Sequence, residues 1–192
     1  SKDSGAVFPL YAGRGLAALD YDGDGLLDLI LCERYYGPVK YGPILLRNKG
    51  NYKFEDVSRA VGLPEKISGL AVSVGDVNND GWPDLFFTEG DGHHRLYLND
   101  GKGKYLEAPG SREVIRWKVA KDNTPAGVHI ADINRDGLAD IVVGHHPDRP
   151  WNAPMAIRLY LNKGVKEGVP TFEDVTDAAG LFPLTFKAPH IE

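Results

Sequence analysis

The sequence predicts an all-β chain of three four-stranded antiparallel repeats, arranged as blades of a β-propeller. Three observations carry that prediction. An acidic nonapeptide recurs as DYDGDGLLD, DVNNDGWPD and DINRDGLAD, opening at Asp20, Asp76 and Asp132, 56 residues apart at both steps. Each copy runs into a short apolar segment, LDLILC, PDLFFT or ADIVVG, rich in Leu, Ile, Val and Phe and bounded by turn residues. Such runs read as buried strands. Each unit then carries a further strand ending in Asn and Gly, in ILLRNKG, RLYLNDG and RLYLNKG.

The elements follow in order. A first strand of small and apolar residues, GRGLAAL, GLAVSVG or AGVHIA, leads into each acidic loop. The apolar second strand follows, then a variable loop, then the third strand. Asn48, Asn99 and Asn162 end the third strands, and Gly50, Gly101 and Gly164 mark a hairpin turn into the fourth, YKFEDV, GKYLEA or PTFEDV. Two units continue as SRAVGL and TDAAGL, where a single helical turn is expected. Residues 1–192 thus read as one propeller segment, with blades at about 12–63, 67–122 and 125–183 and the start of a fourth repeat at 184–192. In an up-and-down blade the acidic loops and third-to-fourth turns share one face, and the variable loops lie opposite.

Bulk composition bounds the function. With 192 residues, 42% of them hydrophobic and 26% charged, the chain is large enough for a real core. No apolar run approaches eighteen residues, so no membrane span and a soluble chain are expected. No basic-then-apolar leader opens the sequence, as would hold for a mature or excised chain. Cys32 stands alone, which leaves no internal disulfide or Cys-based zinc site and reads as a buried small residue at the end of a strand. The net charge of −5 argues against nucleic-acid binding. Ten of the 27 acidic residues lie in the three loops, so three divalent ions would bring the formal charge near +1.

The loops carry the chemistry. Carboxylates or amides at positions one, three, five and nine, with Gly at position six, are a pattern by which a tight turn wraps oxygens around a hard divalent cation. One such loop reads equally well as a surface cluster of Asx-turns. Three copies at constant spacing favour cation sites, one Ca2+ per repeat. The ligands would be Asp20, Asp22, Asp24 and Asp28; Asp76, Asn78, Asp80 and Asp84; Asp132, Asn134, Asp136 and Asp140. An EF-hand would need Glu at position twelve and a following helix, but that position holds Leu31, Phe87 and Val143. Loop one carries four carboxylates against three in each of the others, and at equal rigidity is expected to hold its ion longest.

These residues resemble the FG-GAP/VCBS repeats of integrin α-type propellers. The trailing FEDV…AVGL and FEDVTDAAGL are most similar to the group of cartilage acidic protein and ASPIC/UnbV-associated sequences. The likeness spans essentially the whole chain, although GLAAL and GVHIA stand where Phe-Gly and Gly-Ala-Pro signatures would occur. It implies calcium on the matching Asp and Asn side chains. It also implies an extracellular, cell-surface or periplasmic setting with an adhesive or carbohydrate-facing role.

The variable loops, CERYYGPVKYGP, TEGDGHH and GHHPDRPWNAPMA, gather Tyr35, Tyr36, His93, His94, His145, His146, Arg149 and Trp151 away from the acidic face. Aromatic rings with polar edges suit a carbohydrate or protein ligand; the same residues also serve to pack over a blade's end. The two His-His pairs raise a transition-metal site, disfavoured because adjacent side chains point apart. No nucleophile elbow, phosphate loop or HExxH appears, and a catalytic carboxylate pair is needed once, not three times. A non-catalytic module is therefore expected, with a propeller-type polysaccharide lyase or hydrolase the weaker reading. The three blades read as part of a longer propeller, or as an arc completed by other copies in an oligomer or filament.

Overall fold

The computed structural model describes residues 13–33, 42–67, 69–89, 92–115, 123–147 and 157–181. Three four-stranded antiparallel sheets follow one another along the chain, each with its strands in sequence order. The first comprises β1 (Gly13–Leu19), β2 (Asp28–Glu33), β3 (Ile44–Asn48) and β4 (Phe54–Asp56). The second comprises β5 (Gly69–Gly75), β6 (Asp84–Glu89), β7 (Arg95–Asn99) and β8 (Tyr105–Glu107). The third comprises β9 (Asn123–Ala131), β10 (Asp140–Pro147), β11 (Ile157–Lys166) and β12 (Val169–Asp174). These are propeller blades, as the sequence predicts, and the segments after the acidic loops are strands rather than EF-hand helices.

The apolar second strands are continuous because the middle one faces two cores. Every residue of β6 is buried. Side chains alternate across a strand. Leu85 and Phe87 join Leu19, Ile30, Cys32, Leu45, Val72, Tyr97 and Tyr105 between blades one and two. Phe86 joins Val77, Leu96, Ile130, Ile141, Val143 and Tyr160 between blades two and three. A strand with no solvent face shows no polar alternation.

Small residues on the first strands let the inner edges of the blades converge, with β1 against β5 and β5 against β9. A Cβ added at Gly15 would lie 2.8 Å from the Val72 nitrogen, and one at Gly75 would lie 2.5 Å from Ile130 Cγ2. Neither site has room for a side chain.

Local chemistry explains how the blades end. In blade one Ser58 Oγ accepts from Leu45 N at 2.9 Å and donates to Asp56 Oδ1 at 2.6 Å. In blade three Thr176 repeats both bonds, accepting from Leu159 N at 3.0 Å and donating to Asp174 Oδ1. Both lie within an α-type turn, Val61 N to Val57 O and Ala179 N to Val175 O. Blade two has Pro109 at this position, without a hydroxyl or an N–H, and runs instead into a short helix, α1 (Ser111–Val114).

Blade three departs from the expected hairpin at Gly164. Strand β11 continues past Asn162 through a shift in pairing between Asn162 and Val165. The turn falls at Glu167 and Gly168, both in the left-handed region, with φ of 53° and 79°. That is the conformation of a two-residue hairpin turn. Four residues more than in the other blades, between Asn162 and Phe172, lengthen both strands.

Candidate metal centre

The three acidic loops share one backbone path, organised by their first Asp. Asp76 Oδ1 accepts from Asp80 N at 3.1 Å and its Oδ2 from Gly81 N at 2.8 Å. Asp132 does the same with Asp136 N and Gly137 N, at 3.1 and 3.0 Å. Asp20 accepts from Asp24 N and Gly25 N, at 3.1 and 2.9 Å, and also from Gly23 N at 2.9 Å. Gly25, Gly81 and Gly137 have φ of 84°, 89° and 87°, which is why position six is Gly each time.

The fifth-position Asp closes the turn. Asp24, Asp80 and Asp136 each accept at Oδ1 from the backbone N–H two residues on, Leu26, Trp82 and Leu138, all at 2.9 Å. The Leu26 N–H is the main reason that the Asp24 carboxyl sits below the usual range. For Asp136 the leading cause is the Asn134 amide.

The ninth-position Asp is the first residue of the second strand and is fully buried in all three loops. Its Oδ2 accepts from the loop's second residue: Tyr21 N to Asp28 at 3.1 Å, Val77 N to Asp84 at 3.0 Å and Ile133 N to Asp140 at 2.9 Å. Its Oδ1 accepts from Asn48 N, Asn99 N and Asn162 N, at 2.7, 2.9 and 2.8 Å. Burial dominates over these bonds at Asp28, whose carboxyl is raised, and at Asp84, which is pushed up to about 7.

The Asn residues, readable in the sequence as hairpin markers, also join blades. Asn99 Nδ2 donates to the Tyr21 carbonyl of blade one at 2.9 Å, and Asn162 Nδ2 to the Val77 carbonyl of blade two at 2.8 Å. Asn48 Nδ2 stays within its own blade, on the Leu27 carbonyl at 2.9 Å. Loops two and three meet again where Asn79 Nδ2 donates to the Gly137 carbonyl at 3.0 Å. The Trp82 ring of loop two lies against Gly23 and Gly101.

Oxygen chemistry fits a hard cation. One oxygen from each of Asp20, Asp22 and Asp28 falls within a 4.8 Å cluster. Oxygens that share a calcium ion at 2.3–2.6 Å stand at most about 5 Å apart. Asp22 Oδ1 is buried without a hydrogen-bond partner, an oxygen suited to a metal. In loops two and three Asn78 and Asn134 bring Nδ2 to Oδ2 of Asp80 and Asp136, at 2.9 and 2.8 Å.

Loop one has no amide at that place. Instead, Arg47 of β3, which sequence reasoning passed over, reaches Asp22 Oδ2 at 2.8 Å and Asp24 Oδ2 at 3.1 Å. Its equivalents in the other blades are Leu98 and Leu161. Only the pairing of β3 with β2, the strand that leaves the loop, brings Arg47 beside it.

At the opposite end, Tyr35, Tyr36, Arg149 and Trp151 lie outside the described residues, as does the side chain of His146. His93 is exposed. His94 and His145 are buried, with ring centroids 6.2 Å apart and His94 edge-on to Phe86 at 5.7 Å. These two rings pack inside rather than facing solvent. Glu89 is buried near them, paired with Arg95.

Comparison with known proteins agrees with the repeat geometry. The FG-GAP-like repeat model matches twice, over residues 20–87 and 76–143, each match opening on the first Asp of an acidic loop. Cartilage acidic protein 1 of Homo sapiens is 32% identical over 178 residues, covering 88% of this chain and 25% of that protein. Its Mus musculus counterpart is 31% identical over the same length and shares. Integrin alpha-7 of Mus musculus is 27% identical over 149 residues, 71% of this chain and 12% of that protein. The chain therefore spans about a quarter of the length of cartilage acidic protein 1. With two overlapping matches that together cover residues 20–143, and three blades that repeat one acidic hairpin, the chain belongs to the FG-GAP-like repeat family.

Proposed function

We propose that this chain is a calcium-binding propeller module of an extracellular or cell-surface protein, serving recognition or adhesion and not catalysis. The supporting observation is that three loops, 56 residues apart, place Asp or Asn side chains at the same four positions on the same backbone path. Residues holding the ion would be Asp20, Asp22, Asp24 and Asp28 in loop one, and Asp76, Asn78, Asp80, Asp84, Asp132, Asn134, Asp136 and Asp140 in the others. The ninth-position Asp would contribute only lone pairs that its two backbone donors leave free. When bound, calcium supplies positive charge that offsets the clustered carboxylates. The chain's own role is to hold each first hairpin and, through Asn99 and Asn162, to register adjacent blades. Calorimetric titration of the chelated chain should show about one calcium per loop. No uptake, together with a melting temperature indifferent to chelator, would defeat the reading.

The proposed ligand is a protein or a carbohydrate bound on the face opposite the loops, where Tyr35, Tyr36, His93, His146, Arg149 and Trp151 are the candidates. A glycan array and a panel of extracellular proteins, each probed with the chain and with Trp151→Ala, would test it. Loss of a specific signal in the variant supports the face.

A second reading has blade faces joining copies into an assembly. Ile133 is 48% exposed, whereas its equivalents Tyr21 and Val77 are buried and their carbonyls accept an Asn from the next blade, so Ile133 marks a face open to another blade, of a second copy or of a following repeat. Sedimentation across a concentration series with calcium present distinguishes a monomer from such an assembly.

A further inference from the structure

We propose that Arg47 is a tethered counter-cation of loop one that competes with the bound ion, so that loop one binds calcium more weakly than its four carboxylates imply. The inference rests on the calcium reading above and concerns how one of its sites is tuned.

Three observations converge on it. Arg47 Nη2 touches both Asp22 and Asp24, spanning oxygens proposed to ligate the ion. In the other loops the third position is an amide, and Asn78 or Asn134 donates to the fifth-position Asp directly. Asp22 cannot donate, and without Arg47 it would face Asp24 as a bare like charge. Finally, the residue on the third strand changes with the loop: Arg47 accompanies Asp22, while Leu98 and Leu161 accompany Asn78 and Asn134. Four carboxylates with one guanidinium carry the same formal charge as three carboxylates with one amide. Loop one thus reaches by an ion pair the balance that its neighbours reach with an amide.

The two states of loop one differ in what faces Asp22 and Asp24. Without a metal, Arg47 bridges them and holds the turn. With a divalent ion bound, a guanidinium in the same place repels it, so ion entry requires Arg47 to withdraw. That repulsion lowers affinity, and the bridge keeps the empty loop ordered.

The amide resonances of Gly25, Gly81 and Gly137 report the three loops separately, and following them through a calcium titration tests the proposal. Arg47→Leu should tighten loop one by about tenfold, from loss of a positive charge beside the ion, and leave loops two and three unchanged. The paired change Asp22→Asn with Arg47→Leu, which copies the neighbouring loops, should return loop one to within about threefold of the parent because the net charge is restored. In chelator, Arg47→Leu alone should lower the melting temperature, and the pair should recover it. Should Arg47→Leu fail to fold, Arg47→Gln removes the charge while keeping a donor, and the same tightening is expected. Unchanged or weakened loop-one affinity in the folded variant overturns the proposal alone, provided Gly81 and Gly137 still respond. Absence of any response in the parent chain overturns the calcium reading, and this proposal with it.

Discussion

Asn99 of blade two donates from Nδ2 to the Tyr21 carbonyl in the acidic loop of blade one, at 2.9 Å, while its own N–H holds the Asp84 carboxylate at 2.9 Å. Asn162 repeats the arrangement one blade on, linking Val77 to Asp140. Hydrogen bonds therefore link in turn Asp28, the backbone of Tyr21, Asn99, Asp84, the backbone of Val77, Asn162 and Asp140. The blades are joined by apolar contact and also through the groups that shape their loops.

Asn99→Ala and Asn162→Ala should each destabilise the chain by about 2 kcal/mol, since each strands a buried carbonyl and removes an acceptor from the following turn. Asn48→Ala should cost less, because its amide serves the exposed Leu27 carbonyl of its own blade. Urea denaturation of the three variants checks the order.

The pH dependence of the chelated protein has a definite sign at Asp84. Its carboxyl is raised to about 7 in the folded state, with burial as the leading cause, against about 3.9 unfolded. The folded state thus binds an extra proton between those values, and this group's contribution falls as pH rises from about 4 to about 7. Denaturation in chelator at pH 5 and pH 8 should show Asp84→Asn losing less stability across that interval than the parent. An identical slope in both proteins contradicts the expectation.

Close approach of the blades predicts intolerance at two glycines. A Cβ at Gly69 would lie 2.2 Å from Cys32 Sγ, and one at Gly15 would lie 2.8 Å from the Val72 nitrogen. Alanine at either site forces strands apart, at about 1–3 kcal/mol each. Gly127→Ala, on the equivalent strand of blade three, meets nothing within 4 Å and serves as the control. Melting temperatures of the three variants check this.

Burial pushes the Cys32 thiol up to about 12. Almost no thiolate exists at pH 8, so a disulfide reagent should label Cys32 in denaturant and leave it untouched in the native protein. Fast native labelling would show that the core between blades one and two opens readily.

Much of the architecture was legible because it follows local rules repeated three times. The acidic loops announce themselves by Asp spacing and by a Gly that must take positive φ, and the second strands by apolar runs too short for helices. The sequence says less where an insertion, a single substitution or a contact between segments intervenes. Gly164 reads as a turn, but four residues more than in the other blades let β11 run on to Lys166 and put the turn at Glu167 and Gly168. Helix α1 went unanticipated because Pro109 replaces the hydroxyl that shapes the other blade ends. Counting carboxylates ranks loop one first, and such a count takes no account of Arg47, which lies 23 residues from Asp24 in the chain.

By itself, then, the amino-acid order determined the repeat, the strands, the acidic hairpins and the Gly and Asn positions that shape them, because backbone preference and hydrophobic period act over a few residues. Tertiary structure alone decided which oxygens stay free, that Arg47 sits on Asp22, that His94 and His145 are buried, and that Asn99 and Asn162 join blades. Those outcomes depend on register between strands and on how closely neighbouring sheets approach, and no spacing along a single chain specifies either.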